Sequence, residues 1–311
     1  MRAVVMDRFG GPEVLRVREI PEPTAGPGEF LVDVTLAGVN YADLQVRQGA
    51  YRPPALPAVP GAEVVGRRRP DGRRVAALLR AGGGYAEVAA VKAAYSVELP
   101  EDIDDRTAAA LLEQGCTAYA ALVTVGRLAP GESVAVAAAA GGVGHLAVQL
   151  ARALGASTVV GIASTEEKRQ LARRAGAQHT VASIGQVAEV VPGGVGLCLD
   201  SLGGPDLKPV LAALAPFGRL VYYGHRGQEP AAPSMAELTE RSLGAHALWM
   251  QQVVDDRAVF TATVERLFAL ARAGRLTPHL DRVAPLARAA AVHSAMAGRR
   301  TMGKLLLDTR T

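Results

Sequence analysis

The chain has 311 residues, of which 49% are hydrophobic and 21% charged, so it can bury a large core and a disordered chain is excluded. This length predicts two domains. Lys and Arg (34) nearly balance Asp and Glu (30), and aromatic residues make up only 4%. Neither a basic surface nor a stacking platform for nucleic acid is indicated, and we expect no nucleic-acid partner.

The cysteine content and the apolar runs indicate the compartment. The two cysteines, Cys116 and Cys198, lie far apart in sequence and suit a reducing environment. The first residues, MRAVVMDRFG, lack the apolar core of a signal peptide and are typical of a strand. The Ala-rich run at 134–151 is interrupted by glycines, His145 and Gln149, so it is not expected to span a bilayer. We predict a cytoplasmic protein with no membrane partner.

The elements fall into two patterns along the chain. Residues 1–100 show short alternating apolar runs separated by Gly and Pro, which predicts a β-rich unit, with a hairpin turn at RRRPDGRR (67–74). A long apolar helical segment begins at Asp105. From about residue 131, strands alternate with helices, a pattern that predicts right-handed crossovers and a parallel sheet.

The strands of this second pattern are SVAVAAAA, STVVGIA, HTVAS, GLCLDSLGG and RLVYYG. The helices between them are GHLAVQLARALG, TEEKRQLARRAG and PDLKPVLAALAPFG. A further helix, DRAVFTATVERLFALARAGRL, is followed by RTMGKLLLD, which we interpret as an edge strand that returns to the first unit.

A glycine cluster lies between the first of these strands and its helix. A dinucleotide-binding loop requires a tight turn, close approach of backbone to a pyrophosphate, and a helix N-terminus directed at it. The segment Ala139-Ala140-Gly141-Gly142-Val143-Gly144 stands in that context, with Ala139 at the first fingerprint position instead of Gly. Gly141 is expected to admit the pyrophosphate and Gly144 to allow close helix–strand packing. The alternative is that the glycines serve packing alone.

The end of the next strand indicates which dinucleotide binds. About 20 residues after the glycines, an acidic residue would bind the ribose 2′-hydroxyl of NAD. Here that position reads Gly-Ile-Ala-Ser164-Thr165, followed by Lys168 and Arg169. Hydroxyl groups followed by cations favour a 2′-phosphate, and therefore NADPH. The alternative is that Lys168 and Arg169 are charges on an exposed helix face.

Several motifs in order resemble the medium-chain dehydrogenase/reductase superfamily, in its zinc-free quinone oxidoreductase and enoyl reductase branch. The resemblance covers nearly the whole chain. The motifs are AGVNYADLQVRQGAY (37–51), PGAEVVG (60–66), GGGYAEVAAV (82–91), LLEQGCTAYAALVTVGRLAPGESV (111–134), the glycine loop, LDSLGG (199–204) and RRTMGKLLLD (299–308).

The resemblance implies an α/β fold of two domains. A GroES-like β-rich catalytic domain would comprise residues 1–120 and 250–311, and a Rossmann domain with a doubly wound parallel sheet would comprise 121–249. It also implies an active site in the cleft between them and a homodimer, often formed through the cofactor domains.

The chain departs from the zinc-dependent branch at the metal ligands. The first ligand region reads GVNYADL without Cys, Ala62 stands where that branch has His, and Cys116 is out of register with the later ligand position. Because a zinc site needs three convergent nitrogen, sulfur or oxygen ligands, we predict no metal site.

Catalytic candidates follow by resemblance. Asn40 matches the family position near the nicotinamide and the substrate carbonyl. Tyr41 corresponds to a tyrosine that some polyketide enoyl reductases use around protonation; the alternative is a packed ring. Tyr51 is a candidate pocket residue, or equally a loop ring packed on prolines. Asp43 is expected to hold its loop through backbone hydrogen bonds.

Further cofactor contacts are implied by the same resemblance. Ser201 of LDSLGG, and Tyr223, Gly224 and His225 after RLVYYG, would lie beside the cofactor. His225 could donate a proton, or be an ordinary exposed strand-end histidine. Lys304 falls in a segment that returns toward the cofactor in relatives, with surface charge as the alternative.

Together these features predict an NADPH-dependent, zinc-independent oxidoreductase that transfers hydride to a quinone or an α,β-unsaturated carbonyl. One alternative is an enoyl reductase that tailors a polyketide or similar metabolite. Another is an NADPH-binding scaffold or regulator whose catalysis is vestigial.

Overall fold

The structure is a computed structural model that describes residues 1–204, 207–224 and 231–311. The described chain divides into two compact units. The first comprises Met1–Glu113, Val254–Arg272 and Pro278–Thr311, and the second comprises Gln114–Val253 and Ala273–Thr277.

The first unit is built on antiparallel β-structure, as its short alternating runs predict. Its strands are β1 (Arg2–Val5), β2 (Arg16–Glu19), β3 (Glu29–Val39), β4 (Glu63–Arg68), β5 (Arg74–Leu78), β6 (Val88–Lys92), β7 (Ser96–Glu98), β14 (Leu280–Pro285) and β15 (Lys304–Asp308). Apart from the pair β1–β2, these described strands form one sheet in the order β14-β15-β3-β4-β5-β7, and β6 pairs with β3. The hairpin predicted at 67–74 is confirmed as the β4–β5 connection.

The strand β15 is not at an edge, and in this respect the sequence prediction is wrong. It lies between β14 and β3, parallel to the first and antiparallel to the second. Leu305, Leu306 and Leu307 are all completely buried. An uninterrupted apolar run of this kind is typical of a strand covered on both faces, whereas an exposed edge carries polar residues.

The second unit contains a parallel sheet, as predicted. Its strands are β8 (Ser133–Val136), β9 (Thr158–Ile162), β10 (His179–Val181), β11 (Val195–Asp200), β12 (Leu214–Tyr222) and β13 (Gly244–Ala247). Across the described residues they are ordered β10-β9-β8-β11-β12-β13, with every pair parallel. Numbered from β8, this is the 3-2-1-4-5-6 order of a Rossmann sheet.

The helices connect these strands. They are α1 (Tyr41–Gln48), α2 (Asp105–Leu111), α3 (Glu113–Tyr119), α4 (Gly142–Ala153), α5 (Glu166–Arg174), α6 (Val187–Val190), α7 (Lys208–Ala212), α8 (Met235–Glu240), α9 (Met250–Asp255), α10 (Arg257–Arg272) and α11 (Ala289–Ala297). A π-helical segment, Ala120–Val125, continues α3. Among the described helices, none is by itself long and apolar enough to cross a membrane, although the segments Asp105–Leu111 and Glu113–Val125, bent by 44°, meet that criterion as a pair.

The predicted helix at 205–218 is shorter than expected. Residues 205 and 206 lie outside the described part of the chain, α7 ends at Ala212, and β12 already begins at Leu214. The amide of Val195 donates to the carbonyl of Ala213 (2.9 Å), which starts the β11–β12 pairing there. An apolar run such as LAALAP fits a helix or a buried strand equally well, and tertiary pairing decides between them.

The glycine at position 144 is required by space. A Cβ at Gly144 would lie 2.2 Å from the carbonyl oxygen of Ala138, which is backbone and cannot move aside. This close approach of α4 to the end of β8 is the helix–strand packing that the fingerprint glycine allows.

We expect Gly144→Ala to lower the free energy of unfolding by about 1–3 kcal/mol, because the added methyl group overpacks this contact. Gly185→Ala is the matched control, since a Cβ there meets nothing within 4 Å and the residue is not in the left-handed region. The measurement is chemical denaturation of both variants followed by circular dichroism. Equal midpoints for both variants would contradict the steric argument.

Candidate functional site

The glycine loop lies at the carboxyl end of β8, where the second unit turns into α4. Gly141 is the N-cap of α4 in an extended conformation (φ −78°, ψ 176°) and has no side chain with which to cap the first amides. A Cβ at Gly142 would lie 2.1 Å from Oε1 of Gln114. The first turn of α4 therefore packs closely against its neighbours, and no side chain caps its first N–H groups, an arrangement suited to an anionic group.

His145 stabilises this loop from the first turn of α4. It is buried, and its Nδ1 lies 2.8 Å from the carbonyl oxygen of Gly141, so the ring nitrogen donates to that carbonyl. The backbone amide of His145 donates to the same oxygen (3.1 Å). Because the Gly141 carbonyl is occupied by these two hydrogen bonds, it does not face the loop opening. An anion there would meet backbone amides and not a carbonyl oxygen.

The second candidate segment follows β9, which lies next to β8. Val136 of β8 pairs with Gly161 of β9, and the amide of Ala139 donates to the carbonyl of Ile162 (3.0 Å). The glycine loop and the segment from Ser164 therefore share one edge of the parallel sheet. This is the edge at which doubly wound folds bind their ligands.

The residues after β9 begin a helix. Thr165 is the N-cap of α5, and its Oγ1 accepts from the amide of Lys168 at 3.3 Å. Ser164 is exposed and Lys168 half-buried. Ser164, Thr165 and Lys168 therefore lie close together in sequence at the start of α5, and their contact with a 2′-phosphate stays a prediction.

The guanidinium of Arg169 makes its contacts within the start of α5. Its Nε donates to Glu166 (3.1 Å) and its Nη1 to the carbonyl of Ala163 (3.0 Å). The carboxylate of Glu166 also accepts from Arg173. Arg169 thus stabilises the start of α5.

Other predicted cofactor residues follow β11 and β12 at the same edge. Ser201 directly follows β11 and Tyr223 directly follows β12, and the amide of Tyr223 donates to the carbonyl of Asp200 (3.0 Å). Gly224 approaches Ser201, whose Cβ lies 3.9 Å from the position of a Cβ at Gly224. His225 lies outside the described residues.

The first unit contains a separate polar cluster around Asn40. The ammonium of Lys304 contacts Oε1 of Glu63, and both residues are almost fully buried. Asn40 joins the pair: its Nδ2 donates to Glu63 (2.9 Å), and its Oδ1 accepts from Lys304 (3.2 Å). The amide of Glu113 donates to the second carboxylate oxygen (3.2 Å). These contacts define the orientation of the Asn40 amide.

Asp43 extends the cluster at the start of α1. Its carboxylate accepts from the backbone amide of Asn40 (2.8 Å), which confirms its predicted role in holding the loop, and from the hydroxyl of Tyr85 (3.2 Å). Burial raises the pKa of Asp43 to about 7. Burial also raises the pKa of the Tyr85 hydroxyl well above its usual value.

The predicted catalytic residues have different surroundings. Asn40 is buried in the cluster, whereas Tyr41, the first residue of α1, is 39% exposed. Tyr51 is half-buried beyond the end of α1. Lys304, predicted as a cofactor contact, has its ammonium on Glu63 and Asn40; a further contact with cofactor stays a prediction.

These sites also contain several buried polar residues that the sequence does not mark as functional candidates. In the first unit they are Arg47, Glu63, Tyr85 and His293, and in the second unit Gln114 and His145. In the sequence, such residues are recognisable only as polar residues inside apolar runs, such as Glu63 before VVG or His293 within AAVHSAM. That signal indicates burial, but it does not identify the partner.

A bound metal ion would need a group of three or more neighbouring His, Cys, Asp or Glu side chains. The described residues contain no such group. In the region where the zinc-dependent branch has its ligands, the carboxylate of Glu63 is neutralised by an ammonium instead.

Two family models match the chain. One, described as "Alcohol dehydrogenase GroES-like domain", matches residues 26–101, and the other, "Zinc-binding dehydrogenase", matches residues 142–268. Both match in the predicted order, the first within the β-rich unit and the second across most of the parallel sheet.

Relatives match over nearly the full chain. Synaptic vesicle membrane protein VAT-1 homolog of Homo sapiens is 33% identical over 99% of this chain and 86% of its own length. A 2-haloacrylate reductase of Burkholderia sp is 32% identical over 98% of both chains. A quinone oxidoreductase of Pseudomonas aeruginosa is 32% identical over 96% of this chain and 97% of its own.

Solved structures give the same result. Escherichia coli quinone oxidoreductase, in complex with NADPH, superposes with a TM-score of 0.92 at 28% identity, covering 99% of this chain and 100% of its own. The quinone oxidoreductase of Thermus thermophilus, solved alone and with NADPH, has a TM-score of 0.87 at 37% identity and the same coverage. The chain therefore belongs to the medium-chain dehydrogenase/reductase superfamily, among the quinone oxidoreductases, with a GroES-like domain and a Rossmann domain.

Proposed function

We propose that this protein is an NADPH-dependent reductase of quinones or α,β-unsaturated carbonyl compounds that works without zinc. The observation that carries the proposal is the shared sheet edge of the second unit, where the glycine loop and the Ser164–Lys168 turn lie on adjacent strands. The names of the relatives, quinone oxidoreductase and 2-haloacrylate reductase, support a conjugated acceptor.

The residues at this edge fit NADPH. The amides at the start of α4 are uncapped by a side chain and would bind the pyrophosphate, while Ser164 and Lys168 would bind the 2′-phosphate. Two similar quinone oxidoreductases were solved with NADPH. When bound, NADPH supplies the hydride that reduces the β-carbon of an enone or a quinone ring.

The residues of the first unit would act on the acceptor oxygen, where negative charge develops. The Asn40 amide donates one Nδ2 hydrogen to Glu63 and accepts from Lys304 at its oxygen, so its second Nδ2 hydrogen would be the one that orients the acceptor oxygen. The Tyr41 hydroxyl would hold a proton for that oxygen. A conjugated acceptor spreads the charge over several atoms and therefore needs less stabilisation than an alkoxide. The position that is His in zinc-dependent relatives is Ala62, which cannot bind a metal.

The direct test is anaerobic oxidation of NADPH with a panel of simple quinones and enones. Turnover with either class supports the proposal, and a preference for long enoyl thioesters would favour the enoyl reductase alternative. Tight NADPH binding without turnover of any acceptor would refute the reductase and favour the scaffold alternative. The relatives named synaptic vesicle membrane protein keep that alternative open.

Lys168→Ala tests the cofactor preference. We expect it to raise the KM for NADPH about 10–100-fold, because a charge-assisted hydrogen bond is worth about 1.5–3 kcal/mol. The KM for NADH should not change. Arg174→Ala is the control, since it removes the same charge from the exposed far end of α5. Equal changes for NADPH and NADH would contradict the 2′-phosphate role.

Tyr41→Phe and Tyr51→Phe distinguish protonation from packing. If the Tyr41 hydroxyl holds the proton, Tyr41→Phe should lower kcat with an enone by about 10²-fold or more and leave the KM for NADPH unchanged. Tyr51→Phe should affect mainly the KM for the acceptor. Steady-state kinetics with a quinone and an enone give both values; an unchanged kcat in Tyr41→Phe would assign its ring to packing.

We also propose a homodimer through β13. In the described sheet, β13 pairs with β12 on one side, and Ala245, His246 and Ala247 are exposed. Phe217 and Met235, in neighbouring segments, are 79% and 75% exposed. An unpaired strand of this kind can pair with its copy across a two-fold axis.

Ala245→Asp is expected to convert the dimer to a monomer, because the two-fold axis would bring two carboxylates together on adjacent strands. Size-exclusion chromatography with light scattering measures the mass. Ala182→Asp, on an exposed residue after β10 at the opposite edge, is the control. A monomeric wild-type protein, or a variant that stays dimeric, would contradict this interface.

A further inference from the structure

A chain of three hydrogen bonds crosses the core of the first unit between Arg47 and Asp43. Nη1 of Arg47 lies 3.4 Å from Nδ1 of His293, and Nε2 of His293 lies 3.0 Å from the hydroxyl oxygen of Tyr85. The Tyr85 hydroxyl lies 3.2 Å from Oδ2 of Asp43. All four residues are at most 2% exposed. They come from the two ends of α1, the loop before β6, and α11.

The two ends of this chain fix the direction of every hydrogen bond. A guanidinium can only donate and an ionised carboxylate can only accept. Nδ1 of His293 must therefore accept from Arg47, so its proton is on Nε2, which donates to Tyr85. The Tyr85 hydroxyl then donates to Asp43. If the hydrogen bonds ran in the opposite direction, the Nδ1–H of His293 would face an N–H of Arg47, and two donors would oppose each other.

The charge of each member agrees with this direction. Burial, together with the positive charge of Arg47, lowers the pKa of His293 to about 3, so the imidazole is neutral. Its ring meets the ring of Tyr85 edge-on, with an interplanar angle of 86°. Arg47 is anchored through its Nε, which donates to the carbonyl of Gly10 (3.1 Å).

Asp43 is surrounded by groups from several elements. Burial and the negative charge of Glu63 on β4 raise its pKa, whereas the amide of Asn40, the Tyr85 hydroxyl and the ammonium of Lys304 on β15 lower it. The hydrogen bond from Tyr85 therefore favours the ionised form of Asp43 against the cost of burial.

We propose that Arg47, His293 and Tyr85 are positioning residues for Asn40, acting through a one-directional hydrogen-bond chain that holds the Asp43 carboxylate on the Asn40 backbone amide. The proposal rests on the role of Asn40 in the function proposed above. Asn40 is then fixed twice: its side-chain amide by Glu63 and Lys304, and its backbone by Asp43.

Protonation of Asp43 weakens the second of these contacts, because a neutral carboxyl is a poorer acceptor than a carboxylate. The kcat should therefore rise with pH as Asp43 ionises, around pH 7 in the wild-type enzyme. If the hydrogen bonds among Arg47, His293, Tyr85 and Asp43 served only to stabilise the fold, kcat would not depend on pH in this way.

The first experiment compares Tyr85→Phe with Tyr95→Phe over a range of pH. Tyr85→Phe removes the donor to Asp43, so the rise of kcat should shift to higher pH by about one unit. Relative to the wild type, the activity of Tyr85→Phe should be reduced near pH 7 and equal near pH 9, with the KM for NADPH unchanged. Tyr95 is the matched control: its hydroxyl donates to Asp255 (2.9 Å) at the surface of the same unit, and its removal should leave the profile unchanged.

The second experiment requires no variant enzyme to be active. Nitrogen-15 NMR of histidine-labelled wild-type protein reports which ring nitrogen carries the proton, and the His293 signal is assigned by its loss in His293→Gln. We expect a neutral ring protonated at Nε2 from about pH 5 to pH 9, since its pKa lies far below that range. A ring protonated at Nδ1, or a charged ring at neutral pH, would overturn the proposal.

The two proposals fail in different ways. Absence of turnover by the wild-type enzyme contradicts the proposed function. Wild-type turnover combined with an unshifted pH profile in folded Tyr85→Phe contradicts the positioning chain alone.

Discussion

The first unit depends on the joint burial of two carboxyl groups and two basic side chains. Glu63 and Lys304 form a contact ion pair, and Asp43 and Arg47 are joined through His293 and Tyr85. Removing an ion from water costs several kcal/mol, and the cost is offset only where hydrogen bonds and an opposite charge replace the water. No member can therefore be removed without leaving an uncompensated charge or an unsatisfied polar group.

The need to bury these groups together explains why motifs that are far apart in the sequence are found in the same protein. Asn40 and Asp43 come from AGVNYADL, Glu63 from PGAEVVG, Tyr85 from GGGYAEVAAV and Lys304 from RRTMGKLLLD. The glycines of these motifs make room for the cluster. A Cβ at Gly38 would lie 1.9 Å from the Glu63 carboxylate, and one at Gly61, which has φ +102°, would lie 2.4 Å from the Tyr85 ring. The motifs are thus parts of one polar core.

The sequence predicts the parallel sheet and the glycine loop because both depend on local patterns: the alternation of strands and helices, and glycine spacing between a strand and a helix. The polar core could not be predicted in the same way. Asn40 and Lys304 are 264 residues apart, and no periodicity links them. The same limit explains why the sequence does not predict the central position of β15 in its sheet, since an apolar run predicts burial but does not identify the neighbouring strands. For the same reason the sequence does not indicate the contacts of Lys304 with Glu63 and Asn40.

The carboxyl group of Asp43 makes the core sensitive to pH. Its folded-state pKa of about 7 lies above the ordinary value of 3.8, so the protonated form is the one that stabilises the fold. Stability from this group is fully present below about pH 4 and is lost as the pH rises toward 7. The ionised form that holds Asn40 is therefore the less stable one, as is usual where a site requires a buried charge.

The position of β15 has a consequence for biosynthesis. Val39 of β3 pairs with Leu305 of β15, so the central strands of the first unit are completed by residues that lie far apart in the order of synthesis. The strands of the parallel sheet, residues 133–247, all leave the ribosome before β15 exists. Until β15 is synthesised, the stretch of β3 from Leu36 to Val39 lacks its β15 neighbour, although Glu29–Asp33 of the same strand can already pair with β6. Over the same period Glu63 lacks the ammonium of Lys304. The first unit is therefore completed only when Lys304 and the three leucines after it have been synthesised, and an unpaired strand edge of this kind is what makes incomplete folds prone to aggregate.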